Sequence, residues 1–312
     1  MGLHNEGLRY RMKSLTALII TLMISIGAQA MAQSEDYQFG VRWSVNGLPS
    51  SLSVHGIMLD FTGTPSSFDR RQSVTEYIRN GKNTINLDTF PYEYDAAHKV
   101  RVSLLYWEPG KNPNTEARTA FEVVMRPGEE GAKPEVVSRD VGAPLQPRKS
   151  EIRFVRKEDF DTLHISLNNR QPMPTWCWEE GDVLRDNDAT RDSLTREYRR
   201  LHKLFAAGNN DALLAAASTR TQELATATDT PEAYVRHRFS YNMFFDNPDI
   251  YQLNSFPEEP LTLNLAADNR VAWLTTEGVQ VPIRFNHVQE EGVSSKIRPY
   301  FIRRNGQWVI CR

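Results

Sequence analysis

From Tyr37 to about Arg126 apolar and polar residues alternate with a period of two, the signature of strands with one buried face. Val41, Trp43 and Val45 alternate before the turn signal Asn46-Gly47, and Leu52, Val54, Ile57, Leu59 and Phe61 follow until Gly63-Thr64-Pro65 ends the run. Gly81-Lys82-Asn83 leads into Thr84 to Leu87, Val100, Val102, Leu104 and Tyr106 alternate before Pro109-Gly110, and a last strand covers Ala120 to Met125. Short strands without an intervening helical pattern predict an antiparallel β-sandwich domain over residues 37–126. Residues 127–149 break the pattern: Arg126-Pro127-Gly128 and Gly142-Ala143-Pro144 carry turn formers and charge with little to bury, which predicts an interdomain linker. Two short strands follow, Ile152 to Val155 and Leu163 to Leu167, assignable to either neighbour.

The period then lengthens. Leu194, Tyr198, Leu201, Leu204 and Phe205 fall on one helix face at i, i+4, i+7, i+10 and i+11, with Gly208 as the cap. Asp211 caps a second predicted helix through Leu213, Leu214, Ala217 and Leu224. Thr230-Pro231 announces a third, through Tyr234, Val235, Phe239 and Met243. Alternation returns at Leu261, Leu263 and Leu265, at Val271 and Trp273, and at Val281, Ile283 and Phe285. Ile297 to Arg304 and Gln307 to Cys311 flank Asn305-Gly306, a strong hairpin signal. The fold class expected is α+β: an N-terminal antiparallel β-sandwich domain, then a domain over 150–312 of about three helices packed on an antiparallel sheet.

The segment Val74 to Ile85 resembles a turn and strand seen in many bacterial β-sandwich modules. Helices followed by a meander that closes on Arg304-Asn305-Gly306-Gln307-Trp308-Val309-Ile310 is similar to the NTF2-like (SnoaL-type) families, over roughly residues 186–312. That resemblance implies a cone whose mouth binds a small molecule, in a fold with many non-catalytic members. Trp273, His287 and Trp308 are its candidate pocket lining. Enzymes of these families place a His and Asp pair in the cone, and no position here is assigned to it.

The front of the chain carries an address. Arg9, Arg11 and Lys13 precede an unbroken apolar run from Leu15 to Ile26, which gives way to Gly27-Ala28-Gln29-Ala30. The run falls well short of the about 20 residues a membrane helix needs, so residues 1–30 read as a secretory signal peptide. Cleavage is expected after Ala30 or Ala32, translation starts at Met1 or Met12, and no cysteine near the site offers a lipid anchor. The product is expected to be soluble and periplasmic or secreted, with no membrane span. Cleavage after Ala30 takes Arg9, Arg11, Lys13 and Glu6 from the 37 basic and 39 acidic residues and moves the net charge from −2 to −4. No basic stretch marks a nucleic-acid face. In an oxidising compartment the two cysteines, Cys177 and Cys311, are expected to form one disulfide; two free buried thiols are the alternative.

Chemistry-bearing motifs do not gather in the sequence. The seven histidines are scattered, with no H-x-H, H-E-x-x-H or clustered carboxylate set, so neither a metal nor a cofactor is expected. No serine sits in G-x-S-x-G, and Glu179-Glu180 and Glu258-Glu259 are neighbours that point apart rather than facing one substrate. Aromatic residues are more informative: Tyr241, Phe244, Phe245 and Tyr251, with Asp246 on the intervening loop, form the candidate contact surface. The function expected is that of an exported, non-enzymatic interaction protein of immunity or accessory type, binding a protein partner. A small-molecule binder or enzyme using the cone, and an envelope structural or assembly factor, are the alternatives.

Overall fold

The strands of the first half assemble into two five-stranded antiparallel sheets. One has the order β4 (Phe68–Ser73), β1 (Gln38–Asn46), β6 (Lys99–Trp107), β7 (Arg118–Met125), β8 (Glu135–Arg139). The other has the order β3 (Ile57–Thr62), β2 (Ser50–Val54), β5 (Gly81–Thr89), β10 (Asp161–Asn169), β9 (Leu145–Arg156). This computed structural model describes residues 36–90, 97–127, 133–156, 160–276 and 280–312, without the side chains of 148–150; the expected signal peptide, its cleavage positions and both start sites lie outside the described residues. Alternation does what it predicts on β5, where Asn83, Ile85, Leu87 and Thr89 are buried and their neighbours are more exposed. Leu87 lies in register between Leu52 and Leu163, and Val102 opposite Trp43. Both sheets feed one buried cluster that includes Val41, Trp43 and Phe121 from the first and Leu52, Ile85 and Ile165 from the second. Each such side chain contributes about 1.5–3 kcal/mol by leaving water.

The described part of the stretch 127–149 carries strand β8 and the start of β9. Val136 pairs with Val123 on the sheet edge, the Asp140 N–H donates to Ala120 O (2.8 Å), and Leu145, fully buried, opens β9 in the other sheet. The turn formers Gly142-Ala143-Pro144 carry the chain from one sheet to the next, and the Gly142 N–H closes an Asx turn on Asp140 Oδ1 (2.9 Å). An edge strand packs one partner only, so β8 needs few apolar residues and its composition resembles a linker. The two strands left unassigned by the sequence, β9 and β10, complete the second sheet.

Among its described residues the second half has six helices rather than three: α1 (Cys177–Glu180), α2 (Asp188–Ala206), α3 (Asn210–Ala216), α4 (Ser218–Thr228), α5 (Glu232–Arg238) and α6 (Asn242–Phe245). Helix α2 is the one read from its periodicity, capped by Asn187, which accepts from the Thr190 N–H (2.9 Å). The second predicted helix breaks at Ala217, whose ψ of 14° leaves the α region, and its cap is Asn209 rather than Asp211. The third stops at Arg238, and a separate single turn follows. The sheet is also divided: β12 (Thr262–Ala266), β13 (Val271–Thr275), β16 (Phe301–Arg304) and β17 (Gln307–Ile310) form one, and β11 (Tyr251–Leu253), β14 (Ile283–His287) and β15 (Ser294–Ile297) another. Asn305 and Gly306 turn the last hairpin with φ of 53° and 77°, the pair of positive angles a type I′ turn requires. Leu194, Leu201 and Phe205 of α2 pack with Leu274, Phe285 and Phe301 in a second cluster. No described helix is long and apolar enough to cross a membrane.

Tyr37–Arg312 forms one compact unit. Trp176 and Trp178 at α1 belong to the first cluster, and their indoles donate to Ile78 O (2.6 Å) and Glu76 O (3.0 Å). His55 is a second joint. Its carbonyl accepts from the Ala267 N–H (2.9 Å), its ring stacks on Trp178 at 4.8 Å, and Nε2 meets Asn83 Oδ1 at 3.0 Å. Burial lowers the His55 pKa from 6.5 to about 4. A histidine held neutral in the fold contributes stability above pH 6.5 that is lost as the pH falls toward 4, because the unfolded chain takes up the proton first. The contribution is on the order of 3 kcal/mol. Urea midpoints measured over that window should fall more steeply for the wild type than for His55→Gln; parallel curves would refute the assignment.

Candidate functional site

Where the first sheets meet the helices, four stretches of chain enclose a cleft. The 3-10 turn Thr75–Tyr77 follows β4 and is pinned by Thr75 Oγ1, which accepts from the Phe39 N–H (2.8 Å). That anchor holds Glu76 and Tyr77 against the interior. Opposite them stand Arg220 and Leu224 on α4, then Phe239 and Tyr241 between α5 and α6. The stretch Lys296 to Tyr300, joining β15 to β16, and Arg312 complete the walls. The space has two chambers about equally open to solvent: one of about 470 Å³ against the second core cluster, called inner, and one of about 450 Å³ on the Thr228 side, called outer. They share Gln72, Tyr77, Arg220, Phe239 and Arg312, which therefore form a waist. The inner chamber is floored by Leu201, Phe205, Leu213 and Ile310; the outer one opens beside Thr228, Tyr234 and Arg238.

Positive charge dominates this lining although the chain as a whole carries a net charge of −2. Lys296, Arg298, Arg220, Arg312 and Arg238 all face the two chambers. Among the described lining residues the acids are Asp60, already ion-paired with Arg70, and Glu76. The guanidinium of Arg312 is buried, pairs with Glu223, donates to Cys311 O (2.7 Å) and to Glu76 O, and lies over the rings of Tyr77 (5.2 Å) and Trp176 (5.9 Å). Arg298 donates to Met58 Sδ (3.0 Å), while its Nε is buried without a partner. Arg220 differs from both: it lies over Phe239 at 4.6 Å and has no ion pair among the described residues. Burial raises the pKa of Glu76, against the pull of Arg312, and its Oε2 has no hydrogen-bond partner. Burial likewise raises Tyr77 and Tyr241 and pushes Tyr300 up to about 12, so these phenols stay neutral and serve as walls and donors. Neutral phenols and fixed cations are groups that can bind an anion.

Behind the basic wall lies the disulfide Cys177–Cys311, with Cα atoms 5.9 Å apart. It ties α1 to the end of β17 beside Arg312, and Glu223 accepts from both the Cys177 N–H and Arg312. Cys177, Glu223 and Cys311 have ligand atoms within 4.8 Å of one another, yet the sulfurs are spent on each other and Arg312 neutralises Glu223, so the cluster does not suit a cation.

The residues singled out from sequence lie mostly elsewhere. Of the candidate contact surface, Phe244 is buried and stacked on Phe285 (4.3 Å), Phe245 packs on Phe205 (6.3 Å), and Tyr251 meets Phe244 and His287 edge-on. Only Asp246 is exposed, while Tyr241, edge-on to Phe205 at 4.9 Å, lines the inner chamber. The physical reason is that α6 is a single turn, which folds its rings inward onto β14, where stacking and apolar burial stabilise them together. The candidate pocket of Trp273, His287 and Trp308 is not assembled either. Trp273 packs on Tyr300 (5.1 Å), the Trp308 indole donates to Ser193 Oγ (2.9 Å), and His287 meets Ser295 Oγ (3.1 Å) on the other sheet. With the strands divided between two sheets, no common face brings the three together.

One polar row has the outline of a catalytic triad: Ser166 Oγ lies 3.2 Å from His164 Nε2, whose Nδ1 is 2.7 Å from Asn86 Oδ1. It stands on the face of paired strands β5 and β10 with the lining of neither chamber, so it reads as a cross-strand ladder. Sequence reasoning missed the cleft residues Tyr77, Arg220, Arg298 and Arg312, because each is unremarkable in its own segment. Comparison with protein-family models, with curated proteins and with solved structures finds no match to this chain.

Proposed function

We propose that this chain is an exported, non-enzymatic binding protein of the periplasm or cell exterior, and that it binds an anionic group in the cleft around Arg220. The observation that carries this reading is the gathering of Arg220, Arg298, Arg312 and Lys296 around one cavity of about 470 Å³ in a chain of net negative charge. Arg312 is held by Glu223, whereas Arg220 lies on Phe239 with no ion pair among the described residues and can meet a ligand. The first two sheets are read as the sandwich that supports the Glu76–Tyr77 side of the cleft. A small molecule suits the site best, since each chamber falls in the range of about 300–1,000 Å³ typical of ligand pockets.

A protein partner is the second reading. Tyr234, 58% exposed, and Arg238 stand at the mouth of the outer chamber, and Tyr and Arg are enriched among residues that anchor interfaces. Affinity capture from periplasm with the wild type and with Arg220→Glu tests both readings. The recovered protein should begin at Met31 or Gln33, and its ligand or partner should be lost with Arg220→Glu. Equal recovery from the two proteins would show that the cleft is not the binding site, and a chain retaining its first 30 residues would overturn export.

A further inference from the structure

We infer that the ligand is a small amphiphilic organic anion, held with its anionic group at the waist on Arg220 and its apolar body against the apolar side of the inner chamber. The inference rests on the reading of the cleft as a binding site and adds the chemical class and orientation of what it holds. Charge decides the head group. Arg312 is spent on Glu223, and Arg298 donates to Met58 Sδ, whereas Arg220 is the waist cation without an ion pair among the described residues. Its guanidinium suits a carboxylate or sulfonate, whose two oxygens it can meet edge-on while its face rests on Phe239.

Shape and polarity decide the rest. Leu201, Phe205, Leu213 and Ile310 line one side of the inner chamber, with Tyr241 and Ile297 beside them, so an apolar surface faces the same space as the cations. A free inorganic anion would leave that volume unused, and a wholly apolar molecule would leave Arg220 desolvated and unpaired. A chain-like or flat apolar group joined to one acid satisfies both ends.

Dansylaminoundecanoic acid and its methyl ester are suitable probes, read by fluorescence on the intact protein. Saturable binding of the acid is expected, weakened about tenfold or more by Arg220→Gln and largely restored by Arg220→Lys, with the ester insensitive to both. Ile297→Trp, which narrows the inner chamber, should weaken both probes. If acid and ester bind alike, insensitive to Arg220→Gln yet weakened by Ile297→Trp, the anionic class is wrong while the cleft stands. If neither substitution affects the acid, the cleft itself is not the site. Binding of an acidic peptide or of inorganic phosphate that depends on Arg220, with no binding of the acid, overturns the inference in favour of those ligands.

Discussion

Arg312→Met should destabilise the protein by about 3–5 kcal/mol, the cost of leaving a buried carboxylate without its partner. The expectation comes from the completeness of the arrangement. The Arg312 side chain is 3% exposed and that of Glu223 16%, and the guanidinium also satisfies the carbonyls of Cys311 and Glu76. Methionine replaces most of the packing against Tyr77 and Trp176, so the loss reports the stranded charge of Glu223 and the lost hydrogen bonds to Cys311 O and Glu76 O, the latter keeping the Trp178 indole. Adding Glu223→Gln to Arg312→Met should recover a substantial part of the loss, since an amide strands no charge. Urea denaturation of the four proteins forms the cycle. A loss below about 1 kcal/mol for Arg312→Met would mean that Glu223 finds water or is neutral without its partner.

The second large effect concerns the disulfide. Removing Cys177–Cys311 by the double change Cys177→Ser with Cys311→Ser should cost about 2–5 kcal/mol, the range seen when a native bridge is lost. A sequence separation of 134 places the bridge among long loops, for which the chain-entropy model gives on the order of 4–5 kcal/mol. Local consequences should follow as well. Cys311 precedes Arg312, and the Cys177 N–H shares Glu223 with it, so freeing the bridge loosens one wall of the cleft. The variant should therefore bind an anionic probe more weakly, as should the wild type treated with dithiothreitol. Equal urea midpoints with and without dithiothreitol, once loss of the bridge is verified by mass, would show that the clamp is held by packing alone.

Much of the secondary structure was legible because its signals are local. The period-two pattern of Val41, Trp43 and Val45 places three residues on the buried face of β1, and the spacing from Leu194 to Phe205 places five on the core side of α2. Asn305-Gly306 specifies its turn through backbone angles that few other residue pairs adopt. Where local signals were weak, the pattern misled. An edge strand such as β8 buries little and reads as a linker. The break at Ala217 carries no sequence mark, since alanine is the best helix former, and it is set by how α3 and α4 pack rather than by propensity. For Phe244 and Tyr251 the residue types were right for a contact and their partners turned out to be internal, on β14.

What the sequence by itself determined is therefore the set of strands and the main helix, the pair of cysteines available for a bridge, and the scarcity of catalytic motifs. Only the tertiary structure decided that the described part of the stretch 127–149 carries strand β8 and the start of β9, that the halves form one unit, and that a basic cleft lies at their junction. The physical reason lies in range. Periodicity, capping and turn chemistry act over a few residues, whereas the cleft joins Tyr77, Arg220, Arg298 and Arg312 from four distant segments. Their convergence is fixed by the tryptophans, the disulfide and the Arg312–Glu223 pair that lock the two halves together.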